Sequence, residues 1–96
     1  MLIEACRAAA DLPAARRAAE RYVKAKRRVG SDYGLYFALR SAADVALDEG
    51  RAGEARALLD EAAPLAELLD RQGALNEKRA EIVRQRERLA RIEAKP

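Results

Sequence analysis

Ninety-six residues allow one small domain, and a chain of that length buries only about 60 to 65% of its unfolded surface, which excludes a thick core. Half of the residues are apolar, yet 23 of those 48 are alanine, so closely approaching helices are favoured over a bulky centre. The net charge of +3 conceals a segmental pattern: residues 1–30 carry +5, residues 31–75 carry −5, and residues 76–96 carry +3.

The predicted elements are all helical. β-branched residues are few and Ala, Leu, Arg and Glu dominate, a composition that favours helix over strand. Interruptions at Asp11-Leu12-Pro13, Gly30-Ser31-Asp32, Gly50 to Gly53 and Gln72-Gly73 divide the chain into helices at about 2–10, 13–29, 33–49, 52–71 and 75–93. The first ends at Asp11, which is placed to cap the second, with Pro13 in the opening turn, where its missing N–H costs nothing. The second stops at Gly30. Ser31 or Asp32 caps the third, whose apolar face is Leu35, Tyr36, Leu39, Ala42, Ala43, Ala46 and Leu47, and Gly34 in its first turn is expected to delay its start. The fourth aligns Ala55, Leu58, Leu59, Ala62, Leu65, Ala66 and Leu69. Pro64 falls inside it and removes the bond to the carbonyl of Asp60, a cost of ~3 kcal/mol that predicts a kink near Ala63. The last helix carries only Leu75, Ile82, Val83, Leu89 and Ile92 among dense charges, as a helix with one wet side does. Turns of two to four residues force antiparallel neighbours, so the fold class is all-α, a single domain of consecutive antiparallel helical hairpins.

An offset of 40 residues superposes DLPAARRAAERYV (11–23) on RAGEARALLDEAA (51–63), with Ala15 on Ala55, Ala19 on Leu59 and Tyr22 on Ala62. A repeat of that length, each unit a helix pair, marks a helical solenoid. With Leu39, Ala42, Ala43 and Ala46 on one helix and Ala55, Leu59 and Ala62 on the next, residues 35–66 resemble a tetratricopeptide-like (TPR-like) repeat. The likeness is to the longer, degenerate form found in regulatory regions of large bacterial transcriptional regulators and signalling ATPases. Alanine at the crossing lets the helices approach, and Leu39 and Leu59 fill the gaps beside it. The pattern departs from the family where Leu39 replaces the first aromatic, Ala42-Ala43 the Leu-Gly pair and Ala46 the second aromatic, and where Pro64 falls three residues before the place of the closing proline. The resemblance implies a TPR-like solenoid fragment, with the charged last helix as a C-terminal capping helix, that binds proteins or peptides and has no activity of its own. Two repeats or fewer are present where about three are usual, which implies either the end of a longer array or a core completed by dimerisation.

Catalytic designs are scarce. Without histidine or threonine, Cys6 has no imidazole to activate it and reads as a packing residue, and Ser31 and Ser41 lack a base. Asp44 and Asp48, one turn apart, read as a solvated acidic face rather than a metal site, and GRAGEAR lacks the Lys-Ser or Lys-Thr of a phosphate loop. The expectation is a non-enzyme with no cofactor and no metal. No stretch reaches the ~20 apolar residues needed to span a bilayer, and Glu4 and Arg7 interrupt the N-terminal apolar run, against a secretory signal. A cytoplasmic setting with no membrane contact follows as the expectation, and the Arg to Lys ratio of 15 to 4 suggests a GC-rich bacterial coding sequence.

Two surfaces stand out. Arg17, Arg21, Lys24 and Arg28 fall at i, i+4, i+7 and i+11 on one helix side, and Arg84, Arg88 and Arg91 make a second row. Such rows suit a phosphate backbone, or a solvated or protein-binding face paired with the acidic middle segment. Tyr33, Tyr36 and Phe37 cluster just before Arg40; Tyr36 fits the apolar face, whereas Tyr33 and Phe37 point partly elsewhere, as packing or as a hot spot for a peptide. The chain is therefore expected to be a non-catalytic protein-protein interaction scaffold that takes a protein or peptide segment in the groove between the second, third and fourth helices. Candidate contacts are Tyr33, Tyr36, Phe37, Arg40, Arg17, Arg21, Lys24 and Arg28. The alternatives are a helical homo-oligomerisation element, in which Leu75, Ile82 and Leu89, spaced by seven, associate between chains, and a basic nucleic-acid-binding module.

Overall fold

The computed structural model describes Ile3, residues 11–73 and residues 77–94. They form four helices and, among the described residues, no strand: α1 (Leu12–Val29), α2 (Asp32–Asp48), α3 (Ala52–Gly73) and α4 (Glu77–Glu93). The expected first helix at 2–10 lies outside the described residues apart from Ile3, which is helical and buried, and Cys6 and Leu75 also lie outside them.

The punctuation residues set the boundaries. Asp11 accepts a hydrogen bond from the Ala14 N–H at 3.2 Å and Ser31 one from the Gly34 N–H at 3.2 Å, so each satisfies one of the orphan donors that open a helix. Gly34 does not delay α2, because its N–H is taken up by the cap and the helix is already formed at Asp32. Gly30 ends α1 in the left-handed conformation (φ 75°), with its N–H on the Lys26 carbonyl at 3.1 Å. Gly50 does the same after α2 (φ 72°): its N–H reaches Leu47 at 3.1 Å while the Arg51 N–H reaches Ala46 at 2.8 Å, the paired bonds of a Schellman motif. α3 continues through Pro64 as one helix to Gly73. Pro64 sits on its exposed side, where water can satisfy the freed carbonyl of Asp60, while Ala62 and Ala66 on the opposite side stay buried.

Each helix packs on the next, and α4 also reaches α2. The Cα atoms span 37 × 29 × 20 Å, the least of these being the thickness of two helix layers. α2 is enclosed from three sides: besides Tyr36, Leu39, Ala43, Ala46 and Leu47, it buries Ala38, Ser41, Ala42 and Val45. Apart from Ala38 and Ser41, its buried set falls into two clusters. Tyr36, Leu39, Ala43 and Ala46 join Ala55, Leu59, Ala62 and Ala66 of α3 and Ile82 and Leu89 of α4, while Ala42 and Val45 join Ala15 and Ala19 of α1 together with Ile3. Alanine at these crossings brings the backbones close, and Leu39 and Leu59 fill the space beside it. Ala15 and Ala19 of α1 are buried, and so are Ala55 and Leu59 of α3.

α4 is attached differently. Along its contact with α2, Arg40 pairs with Glu81 at 2.8 Å, Asp44 accepts from Gln85 Nε2 at 2.8 Å, and Asp48 accepts from Arg88 at 2.6 Å. The partners rise together along the two helices, so α2 and α4 run parallel. Against α3 the order reverses, with Asp70 on Arg79, Asp60 on Arg86 and Arg56 on Glu93, as antiparallel neighbours require. Asp44 and Asp48, expected to form a solvated acidic face, are rungs of this ladder.

Candidate functional site

Between α1 and α3, floored by α2, lies a groove of about 490 Å³. It falls between the elements that the sequence assigns to a binding groove. α1 and α3 lie on either side of α2 here, and the short side chains of Ala19 and Val23 leave room above it. The floor is apolar: Ala19 and Val23 from α1, Ala42 and Val45 from α2, and Leu58 from α3. The rim carries Arg16, Lys24, Arg27 and Arg28 on α1 and Arg51 before α3, against Glu20 and Glu54.

The rim charges differ in what they already hold. Arg16 pairs with Glu20 at 3.3 Å, Arg27 crosses to Glu61 on α3 at 2.6 Å, and Arg51 binds Glu49 at 3.0 Å as well as Glu54. Lys24 and Arg28 have no carboxylate partner among the described residues, and neither do Arg17 and Arg21. The predicted stripe of Arg17, Arg21, Lys24 and Arg28 is thus exposed and, among the described residues, uncompensated. The acidic middle segment neutralises its neighbour Arg27 instead. Only Lys24 and Arg28 of the stripe border the groove.

The aromatic cluster does not make one exposed patch. Tyr36 is wholly buried, its hydroxyl between the Lys78 carbonyl (3.3 Å) and Glu81 Oε2 (3.2 Å), so it is a packing residue of the α2–α4 contact and not a partner contact. Burial, with the Glu81 charge beside it, pushes its hydroxyl pKa well above the ordinary tyrosine value. Phe37 packs edge-on against Tyr33 (4.7 Å) and Tyr36 (5.5 Å) at the margin of the core. Arg40 lies 5.3 Å from the Phe37 ring and is held by Glu81, which makes it an internal tie rather than a free contact. Tyr33 alone is substantially exposed (56%), with the Lys78 ammonium 5.6 Å from its ring.

Two polar residues that sequence reasoning missed shape the α4 side. Asp70 is only 3% exposed near the end of α3, in line with its apolar neighbours Ala66 and Leu69, and its carboxylate accepts from the N–H groups of Lys78 (3.2 Å) and Arg79 (3.0 Å) and from Arg79 Nε (3.2 Å). It caps α4 from the preceding helix. Burial pushes its pKa up, but the hydrogen bonds from Arg79 and Lys78 and the Arg79 charge outweigh burial and hold the carboxyl below its ordinary value. Gln85 donates both amide hydrogens, to the Arg40 carbonyl (3.0 Å) and to Asp44 (2.8 Å). Its Oε1 is enclosed with no donor among the described residues, beside a hollow of about 240 Å³ that Arg84 and Arg88 also line. The signal for both residues was present as a polar side chain in phase with an apolar stripe.

Of the three heptad positions, Leu75 lies outside the described residues. Ile82 and Leu89 are buried in the chain's own core, whereas Val83, assigned to the apolar side, is 54% exposed. Among the described residues no helix is long and apolar enough to cross a membrane, and no group of three or more acidic, cysteine or histidine side chains is placed to hold a metal ion. No family model matches the sequence, and neither the curated proteins nor the solved structures contain a match to it.

Proposed function

We propose that this chain is a non-catalytic interaction module of TPR-like helical hairpins that receives a protein segment in the groove between α1, α2 and α3. The observation that carries the reading is the groove itself: an apolar floor of Ala19, Val23, Ala42, Val45 and Leu58 under a rim rich in cations. A concavity of this volume, with an apolar lining and charged groups at its edge, has the dimensions of a ligand-binding cleft. The TPR-like reading draws support from the alanine crossings of α1, α2 and α3 and from the parallel course of α2 and α4, one hairpin apart. A role as a scaffold or regulatory element follows from that class and not from any catalytic group.

The test is a titration of the isotope-labelled chain with amphipathic helical peptides that share one leucine face and differ in flanking charge. Binding of any of them should move the resonances of Val23, Val45 and Leu58 together, and Leu58→Gln should weaken it. If no peptide perturbs these residues, the groove is not a protein-binding site.

A second reading rests on the uncompensated cations Arg17, Arg21, Lys24 and Arg28, which would suit the phosphates of a nucleic acid. Duplex DNA titrated at two salt concentrations separates the two readings. The nucleic-acid reading requires binding that weakens steeply with salt and that the alanine variants of these four residues lose.

A further inference from the structure

We infer that the occupant of the α1–α2–α3 groove is a short amphipathic helix of a partner protein, with branched apolar residues on one side and aspartate or glutamate flanking them. The inference rests on the groove-binding reading and adds the chemistry of the partner.

The helical form follows from the floor. Its five residues present only C–H groups, and the helices that carry them have spent their backbone N–H and C=O groups on their own ladders. An extended peptide laid there would bury amides with nothing to bond. A helix brings its backbone already satisfied and needs only side chains to fill the hollow. Ala19 and Ala42 leave the depth for such side chains, and Leu58, at the opposite wall, gives them a surface to close against.

Length can be read from the walls. On α1 the lining runs from Arg16 to Arg28, about 18 Å at 1.5 Å per residue, and on the other side from Arg51 to Leu58, about 10 Å. Two to three turns of helix fit that span, roughly 8 to 12 residues.

Charge decides the flanks. Five cations border the groove against two carboxylates among the described residues, and both carboxylates are already paired, Glu20 with Arg16 and Glu54 with Arg51. Lys24 and Arg28, by contrast, have no carboxylate partner among the described residues and lie one turn apart on the same wall. A peptide with carboxylates on its α1 side meets both. One with lysines there meets the like charges of Lys24 and Arg28. The phosphates of a nucleic acid would meet the cations but would gain nothing from the half-buried Val23 and Leu58 between them.

The experiment compares three synthetic helical peptides of one length and one leucine face, whose flanking positions are glutamate, glutamine or lysine, together with a glutamate peptide whose leucines are replaced by serine. Binding to the intact chain is read by fluorescence anisotropy at low and at physiological salt, with duplex DNA as competitor. The glutamate peptide should bind on the order of tenfold tighter than the glutamine peptide at low salt, with the margin shrinking as salt rises, and the lysine and serine-faced peptides should be weakest. In Lys24→Glu/Arg28→Glu, whose fold is checked by circular dichroism and thermal melting, the order of glutamate and lysine peptides should reverse; Lys24→Gln/Arg28→Gln should remove the preference without reversing it. Equal binding of the three leucine-faced peptides would overturn the acidic flank while leaving groove binding intact. Absence of binding by all of them would overturn both. Undiminished binding of the serine-faced peptide, or DNA that displaces the glutamate peptide and binds more tightly than it, would show a general anion surface and overturn the inference in favour of the nucleic-acid reading.

Discussion

Asp70 and Tyr36 are the side chains whose protonation is tied most directly to folding. Asp70 closes the start of α4, and its carboxyl is held below its ordinary value by the donors of Lys78 and Arg79. A depressed folded value means that the native state keeps the charge where the unfolded chain has begun to take a proton. The contribution is therefore complete above the unfolded value of about 4 and is lost as pH falls through the lower folded one. Asp70→Ala should lower Tm at neutral pH by about 4–8 °C and make the acid limb of the stability profile shallower than in the parent chain. An unchanged acid limb would show that Asp70 is not linked to unfolding. Tyr36 has the opposite sign, since burial raises its folded value above the unfolded value of about 10. Its contribution is full below pH 10 and is lost above it. Stability to urea should fall from about pH 10 upward, and Tyr36→Phe should flatten that fall even though it loses the hydroxyl's bonds at neutral pH.

The caps and breaks of individual helices were legible in the sequence because each depends on a local rule. Asp11, Ser31, Gly30 and Gly50 act within four residues of themselves, and all four do what their type dictates. The Asp70 cap acts across eight and nine residues from another helix, and the ladder of Arg40, Asp44 and Asp48 with Glu81, Gln85 and Arg88 spans about forty. No local rule reaches that far. The burial of α2 on three sides did have a sequence signature, since between Asp32 and Asp48 only Arg40 and Asp44 are charged, too few to wet one whole face. Pro64 gives the prediction at this scale. It sits on the exposed side of a continuous helix, so Pro64→Ala restores the bond to the Asp60 carbonyl without disturbing the core. After allowance for the freer unfolded chain, the gain should be about 2 kcal/mol in urea unfolding. A loss of stability would mean that the proline is needed for the present course of α3.

At the scale of the molecule, a thin core makes each large side chain matter. Leu59 is wholly buried among residues of α2, α3 and α4, and Leu59→Ala should cost about 2–5 kcal/mol, a large share of the ~5–15 kcal/mol by which a domain of this size is stable. Urea unfolding of the variant measures it, and a loss below about 1 kcal/mol would mean that the site collapses around the smaller residue. Ile82 and Leu89 are buried within the chain, so neither is free to pack against a second copy. Light scattering at micromolar concentration should therefore give the mass of one chain, and a dimer would return the oligomerisation reading. The candidate groove was legible in outline because hairpin order places α1 and α3 on either side of α2. Its rim was not, because the predicted stripe follows one face of α1 while the groove is bordered by a neighbouring one that includes Arg16, Glu20 and Val23.

The parallel course of α2 and α4 has a consequence for the field around the protein. α1 and α3 point one way, α2 and α4 the other, and their lengths of 18 and 22 against 17 and 17 residues are nearly matched. Their macrodipoles therefore largely cancel, and neither end of the bundle is a strong pole. What an approaching molecule feels at a distance is then set mainly by side chains, and among the described residues the largest uncompensated group of them lies along α1. A negatively charged partner would be steered toward the flank of the bundle, where the groove opens, rather than toward its ends.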